Sequence, residues 1–138
     1  MRLKKILGVL FIFLSLILSA CSQDGKVYKF HGKSNNWIVK YETEISNERE
    51  WAEYSVEYIG KEPTPAIFGY NLKSSWFKIG NEKERFKHKG KNIISGNSEC
   101  TGPPLNTESC AVIIEEDEQM EATIEWNGKS EVIILDRN

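Results

Sequence analysis

The 138-residue sequence is poor in the residues on which most site chemistry depends: it has two histidines and three cysteines. It contains no Gly-x-Ser-x-Gly, no His-Glu-x-x-His and no phosphate-binding glycine loop. His31 and His88 fall on different strand-like segments, which excludes a clustered-histidine metal centre. Carboxylates are so frequent that no pair stands out for acid-base work, and an enzyme is not the expectation. The formal net charge is only -2, which argues against a nucleic-acid partner. Long apolar runs are scarce too. The one present spans residues 6 to 18, 13 in all and interrupted only by Gly8 and Ser15. A membrane-spanning helix needs about 20 apolar residues, so this run is short for a permanent span.

What is present at the N-terminus has the order of a secretory signal: basic Arg2, Lys4 and Lys5, then the apolar run, then small residues ending at Ala20. Leu18-Ser19-Ala20-Cys21 resembles the lipobox of bacterial lipoproteins. The resemblance implies cleavage between Ala20 and Cys21 and a diacylglycerol on the Cys21 thiol, with the new N-terminus open to acylation. Residues 1–20 are then a removed signal peptide, 21–26 a lipidated tether and 27–138 a single domain. The covalent lipid on Cys21 is the one added group expected; no metal or other cofactor is. Each buried methylene contributes about 0.8 kcal/mol, so one acyl chain holds marginally and two or three hold firmly. The membrane is therefore the first expected partner, and its extracytoplasmic face the expected address. An uncleaved signal anchor, or an ordinary secretory signal with Cys21 incidental, is the alternative.

Processing removes three basic residues, so the mature chain carries 15 Lys and Arg against 20 Asp and Glu and a net charge of -5. A chain of this size buries roughly two-thirds of its unfolded surface, enough for one core. Cys100 and Cys110 remain as a pair, which outside the cytoplasm reads as a disulfide. The intervening Gly102, Pro103 and Pro104 do not suit a redox Cys-x-x-Cys site. Closing a loop of this size stabilises a fold by roughly 3 kcal/mol in the chain-entropy account. Two free thiols, or a metal site for which clustered histidines are lacking, are the competing readings.

Hydrophobic periodicity is that of strands. Trp37, Val39, Tyr41, Thr43 and Ile45 alternate with Ile38, Lys40, Glu42 and Glu44, and Ala52, Tyr54, Val56 and Tyr58 alternate with Glu53, Ser55 and Glu57. Further candidates are 27–31, 66–72, 75–79, 84–89, 92–95, 111–115, 120–126 and 130–135. About seven to nine short strands broken by Gly, Pro, Asn and Ser predict an all-β antiparallel sandwich or barrel. One helical turn is expected over Ser46 to Trp51, with Ser46 or Asn47 as cap and Glu50 closing a capping box. Asn127-Gly128 marks a final hairpin. A two-residue loop would set Ile124 against Glu131. A three-residue loop ending at a left-handed Gly128 pairs Glu125 with Lys129, Ala122 with Val132 and Met120 with Ile134, and is the favoured register.

Charge is sorted into blocks. Lys73, Lys78, Lys83, Arg85, Lys87, Lys89 and Lys91 face only Glu82 and Glu84 between 73 and 91, while 108–125 carries seven acids and no base. The basic block could face lipid headgroups or acidic wall polymers; equally, lysines on edge strands block aggregation. Glu115 to Glu118 hold enough carboxylates for calcium but lack the required spacing, and read better as a solvated hairpin tip. Trp37, Trp51, Trp76, Trp126, Tyr41, Tyr54, Tyr58 and Tyr70 could line a cleft, although their place in alternating strands marks most as core.

The stretch Phe30-His31-Gly32-Lys33-Ser34-Asn35-Asn36-Trp37-Ile38-Val39 has a Phe-x-Gly-x-Ser-x-x-Trp-x-Val pattern. It resembles the start of the mature domain in small uncharacterised lipoproteins of Bacillus and related low-GC Gram-positive bacteria. That group often has acidic residues where Lys33 and Asn35 stand here. The resemblance implies an immunoglobulin-like β-sandwich on the outer face of a single membrane, and carries no catalytic residues with it. The resulting expectation is a membrane-anchored, non-catalytic interaction or accessory module that meets an envelope protein or wall polymer. The alternative is an extracellular small-ligand receptor or enzyme with a cleft among the aromatics.

Overall fold

The computed structural model describes residues 25–46, 49–75, 77–87, 90–101 and 118–138. Eight strands form where apolar side chains recur at every second position. They are β1 (Lys26–Lys33), β2 (Trp37–Ser46), β3 (Arg49–Tyr58), β4 (Phe68–Lys73), β5 (Lys78–Glu84), β6 (Ile93–Thr101), β7 (Met120–Trp126) and β8 (Lys129–Arg137). All pairings are antiparallel, in the order β5-β4-β7-β8-β1-β2-β3-β6. The described residues are thus all-β and antiparallel, as the periodicity predicts. The two layers of the sandwich are halves of one curled sheet.

Curling is required by what the inward faces carry. Trp37 on β2 meets Phe68 on β4 at 5.0 Å and Trp126 on β7 at 5.4 Å between ring centroids, although neither strand neighbours β2 in the sheet. Tyr41 stacks on Phe77 at 5.2 Å, and the Tyr54 and Tyr70 hydroxyls share a hydrogen bond of 2.8 Å across the same gap. Aromatic rings bury the largest apolar area per residue and set the layer spacing. The seam is β8, which runs beside β7 for most of its length and is registered with β1 at Phe30↔Arg137 and His31↔Asp136.

Three expectations change. First, the helical turn over Ser46 to Trp51 is replaced by a hairpin in which Ser46 pairs with Arg49 and Glu44 with Trp51. Glu50 is no capping residue: it faces inward at 8% exposure, and its Oε1 accepts a hydrogen bond from Thr43 Oγ1 at 3.3 Å. A polar residue at an inward position interrupts the alternation, and locally that reads as a helix start. Second, the strands expected at 75–79 and 84–89 are not found as such: one strand, β5, runs Lys78–Glu84 across the gap between them, and residues 85–87 are not strand. Third, the last hairpin closes through a two-residue loop, with Trp126↔Lys129, Ile124↔Glu131, Ala122↔Ile133 and Met120↔Leu135. Asn127 (φ 49°) and Gly128 (φ 74°) are both left-handed, as a type I′ turn requires. Val132 and Ile134, expected inside, are 60% and 42% exposed, while Ile133 and Leu135 are buried.

The objection to that register was Glu131 on the core face. The structure answers it at the rim, where Ser34 Oγ donates to Glu131 Oε2 and Asn36 Nδ2 donates to Oε1 at 2.6 Å. Lys129, the next inward position, pairs with Glu62 at 2.6 Å. A carboxylate with a donor on each oxygen stays at a partly buried site at little cost, so the apolar pairs further along the strands decide the register. The strand candidate at 111–115 lies outside the described residues.

Candidate functional site

Site residues anticipated from the sequence are distributed rather than gathered. Ala20 and Cys21 lie outside the described residues; the described chain begins at Gly25, and β1 at Lys26. Cys100 is on β6, where the backbone pairs it with Glu50 of β3; Cys110 lies outside the described residues. The basic block does not form one patch. Lys73 and Lys78 stand directly opposite each other at the β4–β5 turn. Lys83 lies near the far end of β5, about 17 Å from Lys78 at roughly 3.3 Å per residue, and Arg85, Lys87 and Lys91 follow beyond that end. Lys89 is outside the described residues. Contiguity in sequence becomes separation in space because a strand is extended.

The acidic block is described only from Glu118, whose Oε1 accepts a hydrogen bond from the Ser75 backbone N–H at 2.9 Å. Among the described residues no three His, Cys, Asp or Glu side chains converge as metal ligands. No helix among them is long and apolar enough to cross a membrane.

The aromatics fill the interior. Trp37, Tyr41, Tyr58, Tyr70 and Trp126 are buried, and Tyr54 is half-buried. Their polar atoms are largely satisfied within the core: Tyr54 and Tyr70 bond each other, and Tyr58 Oη donates to the Glu62 carbonyl at 3.2 Å. Trp51 departs from the rest at 40% exposure, and Trp76 lies outside the described residues. Trp51 could have been found from the pattern, because it precedes Ala52 in a run whose even-numbered residues turn inward.

One concavity is on the outer face of β1, β2 and β3, a hollow of about 500 Å³ whose lining includes Lys29, His31, Lys40, Glu42, Glu53 and Ser55. Register explains the grouping. His31, Lys40 and Ser55 form one row across the three strands, and Lys29, Glu42 and Glu53 the next. Sheet twist makes that face concave. Lys29 and Glu42 pair at 3.0 Å, both well exposed. The hollow offers both charge signs and hydrogen-bonding groups to a partner. It is open to solvent, and an exposed pair of this kind contributes little stability.

Glu50 is the described carboxylate with a clear displacement. Burial raises its pKa above the ordinary 4.5, and the Thr43 hydrogen bond opposes the rise only partly. Because the folded state favours the proton, the contribution of Glu50 to stability is present in full below pH 4.5 and is lost as pH rises through the raised folded value. Glu50→Gln keeps an acceptor for Thr43 and removes the buried charge. The variant should therefore melt higher than the wild type at pH 7 and converge with it in acid. Melting curves from pH 4 to pH 8 check this; parallel pH profiles for the two proteins would show that Glu50 titrates normally.

No protein-family model matches the chain, and neither curated proteins nor solved structures give a significant match.

Proposed function

We propose that the chain is a lipid-anchored extracytoplasmic lipoprotein whose β domain acts as a non-catalytic interaction or accessory module at the cell envelope. The observation that carries this reading is Leu18-Ser19-Ala20-Cys21 at the end of an apolar run with a basic start. The domain supports it in two ways. Only residues 22–25 separate Cys21 from the first strand, so the fold begins immediately above the anchor. The aromatics that a cleft would need are instead packed ring against ring between the layers, and the polar groups open outward. In this reading the oxidising compartment joins Cys100 to Cys110, and an envelope protein or wall polymer meets the outer faces of the sheet.

Cys21→Ala tests the anchor. The expected result is unprocessed precursor or a domain released from the membrane fraction, with no acyl mass on the N-terminal peptide. Unchanged fractionation and an unchanged intact mass would refute lipidation.

A further inference from the structure

We infer that Val27 and Trp51 form a second membrane contact, resting in the lipid headgroup layer beside the acylated Cys21. The inference rests on the lipid-anchor reading above and adds to it the orientation of the domain.

The two side chains are brought together by register. Val27 pairs with Glu44, and Glu44 with Trp51, so all three lie in one row across β1, β2 and β3. Adjacent strands are about 4.8 Å apart, which sets the Val27 and Trp51 backbones about 10 Å from each other. Both side chains are exposed, Val27 at 49% and Trp51 at 40%. Isolated apolar residues on a surface are ordinary and mark nothing by themselves. What distinguishes this pair is its distance from the anchor. Val27 is six residues after Cys21, at most about 20 Å along a fully extended chain. The row is also the end of its strands: β1 starts at Lys26 and β3 at Arg49. By contrast Ile93, a further exposed apolar residue on this half of the sheet, pairs with Glu57, six residues further along β3 from Trp51.

The chemistry of the row suits an interface rather than a hydrocarbon core or bulk water. An indole has an apolar ring and one polar N–H, and Trp accordingly concentrates at the headgroup level of membranes. Lys26 is exposed beside Val27, and a basic flank favours an anionic leaflet. Glu44, between the two apolar residues, is turned aside. Its carboxylate lies over Gly25, where an added Cβ would stand 2.7 Å from Oε1, so the charge sits toward the hydrated tether. An acyl anchor alone leaves a domain free to swivel. A wedged Trp and Val fix which end of the sheet faces the lipid.

The test uses the mature lipidated protein reconstituted into phosphatidylglycerol and phosphatidylethanolamine vesicles whose acyl chains are brominated near the headgroup. Bromine quenches only indoles in contact with it. The expected result is quenched tryptophan emission in the wild type and loss of most of that quenching in Trp51→Phe, with both proteins floating with the vesicles. Equal quenching in the two proteins overturns the inference, because the contact is then made elsewhere. Absence of quenching in a protein that floats also overturns it, and leaves the corner facing a protein partner. Failure to float, together with a mass lacking acyl chains, overturns the anchor reading and this inference with it.

Discussion

Trp37→Ala is expected to remove a large part of the domain's stability margin. Trp37 is fully buried, and its ring lies within 6.4 Å of the Tyr58, Phe68, Phe86 and Trp126 rings, which come from both halves of the sheet and the chain following β5. Truncating a large aromatic in a packed core costs about 3–5 kcal/mol, through lost transfer energy and the cavity left behind. A domain of this size holds roughly 5–15 kcal/mol in all. At about 4 °C per kcal/mol, the melting temperature should fall by about 15 °C. Trp37→Phe is the informative companion. The Trp37 Nε1–H is buried with no hydrogen-bond partner among the described residues, so phenylalanine removes an unsatisfied donor while keeping a ring. It should lose well under half of what alanine loses. Thermal and urea denaturation of the three proteins measure both effects, and equal losses for Phe and Ala would mean that shape alone sets the cost.

Gly32→Ala should produce the second large effect, for the opposite reason. Here a single added methyl group has no room. A Cβ at Gly32 would stand 2.6 Å from Ile133 Cγ2 and 2.7 Å from the Ile134 carbonyl oxygen. The first neighbour is a buried side chain and the second is backbone of β8, so relief requires β1 and β8 to separate. That seam has two registered pairs, Phe30↔Arg137 and His31↔Asp136, and a backbone bond from the Asn138 N–H to the Lys29 carbonyl at 3.0 Å. Overpacking typically costs about 1–3 kcal/mol, and a contact against backbone lies at the upper end. The expected signature is local: amide hydrogen exchange should accelerate at the β1–β8 seam before the β2–β3 pairing is affected. Uniform protection with an unchanged melting temperature would mean that the strands accommodate the methyl by a small shift.

The two substitutions bear on different kinds of information in the chain. That Trp37 is a core residue was legible, because it opens a run in which every second residue is apolar, and the observed burial follows that alternation through Val39, Tyr41 and Thr43. The same reasoning located β3 and β7. It failed at Glu50 and Glu131, two carboxylates on inward registers. Glu131 is accepted there because Ser34 and Asn36, nearly a hundred residues earlier, supply its donors. Glu50 is accepted through Thr43, which only the β2–β3 hairpin brings within reach. Neither partner can be recognised from residues adjacent to the carboxylate.

The basic segment shows the same limit from the other side. Its lysines are neighbours in sequence, yet β5 carries Lys78 and Lys83 toward opposite ends, so no single basic face results. Conversely Val27 and Trp51 are 24 residues apart in sequence and share one row in the sheet.

What the sequence determined by itself is local and periodic: an antiparallel all-β domain, the inward face of most strands, and the resemblance to a lipid-attachment site at Cys21. These follow from short-range chemistry, since a period of two reports which side chains share a face, and a leader is read as a linear string. Only the tertiary structure decided what each face meets. It joined the layers through β8, placed polar rims over Glu50 and Glu131, and left Val27, Trp51, Val132 and Ile134 uncovered. Burial and hydrogen-bond satisfaction depend on partners supplied by distant strands, and strand pairing is the step at which those partners are chosen.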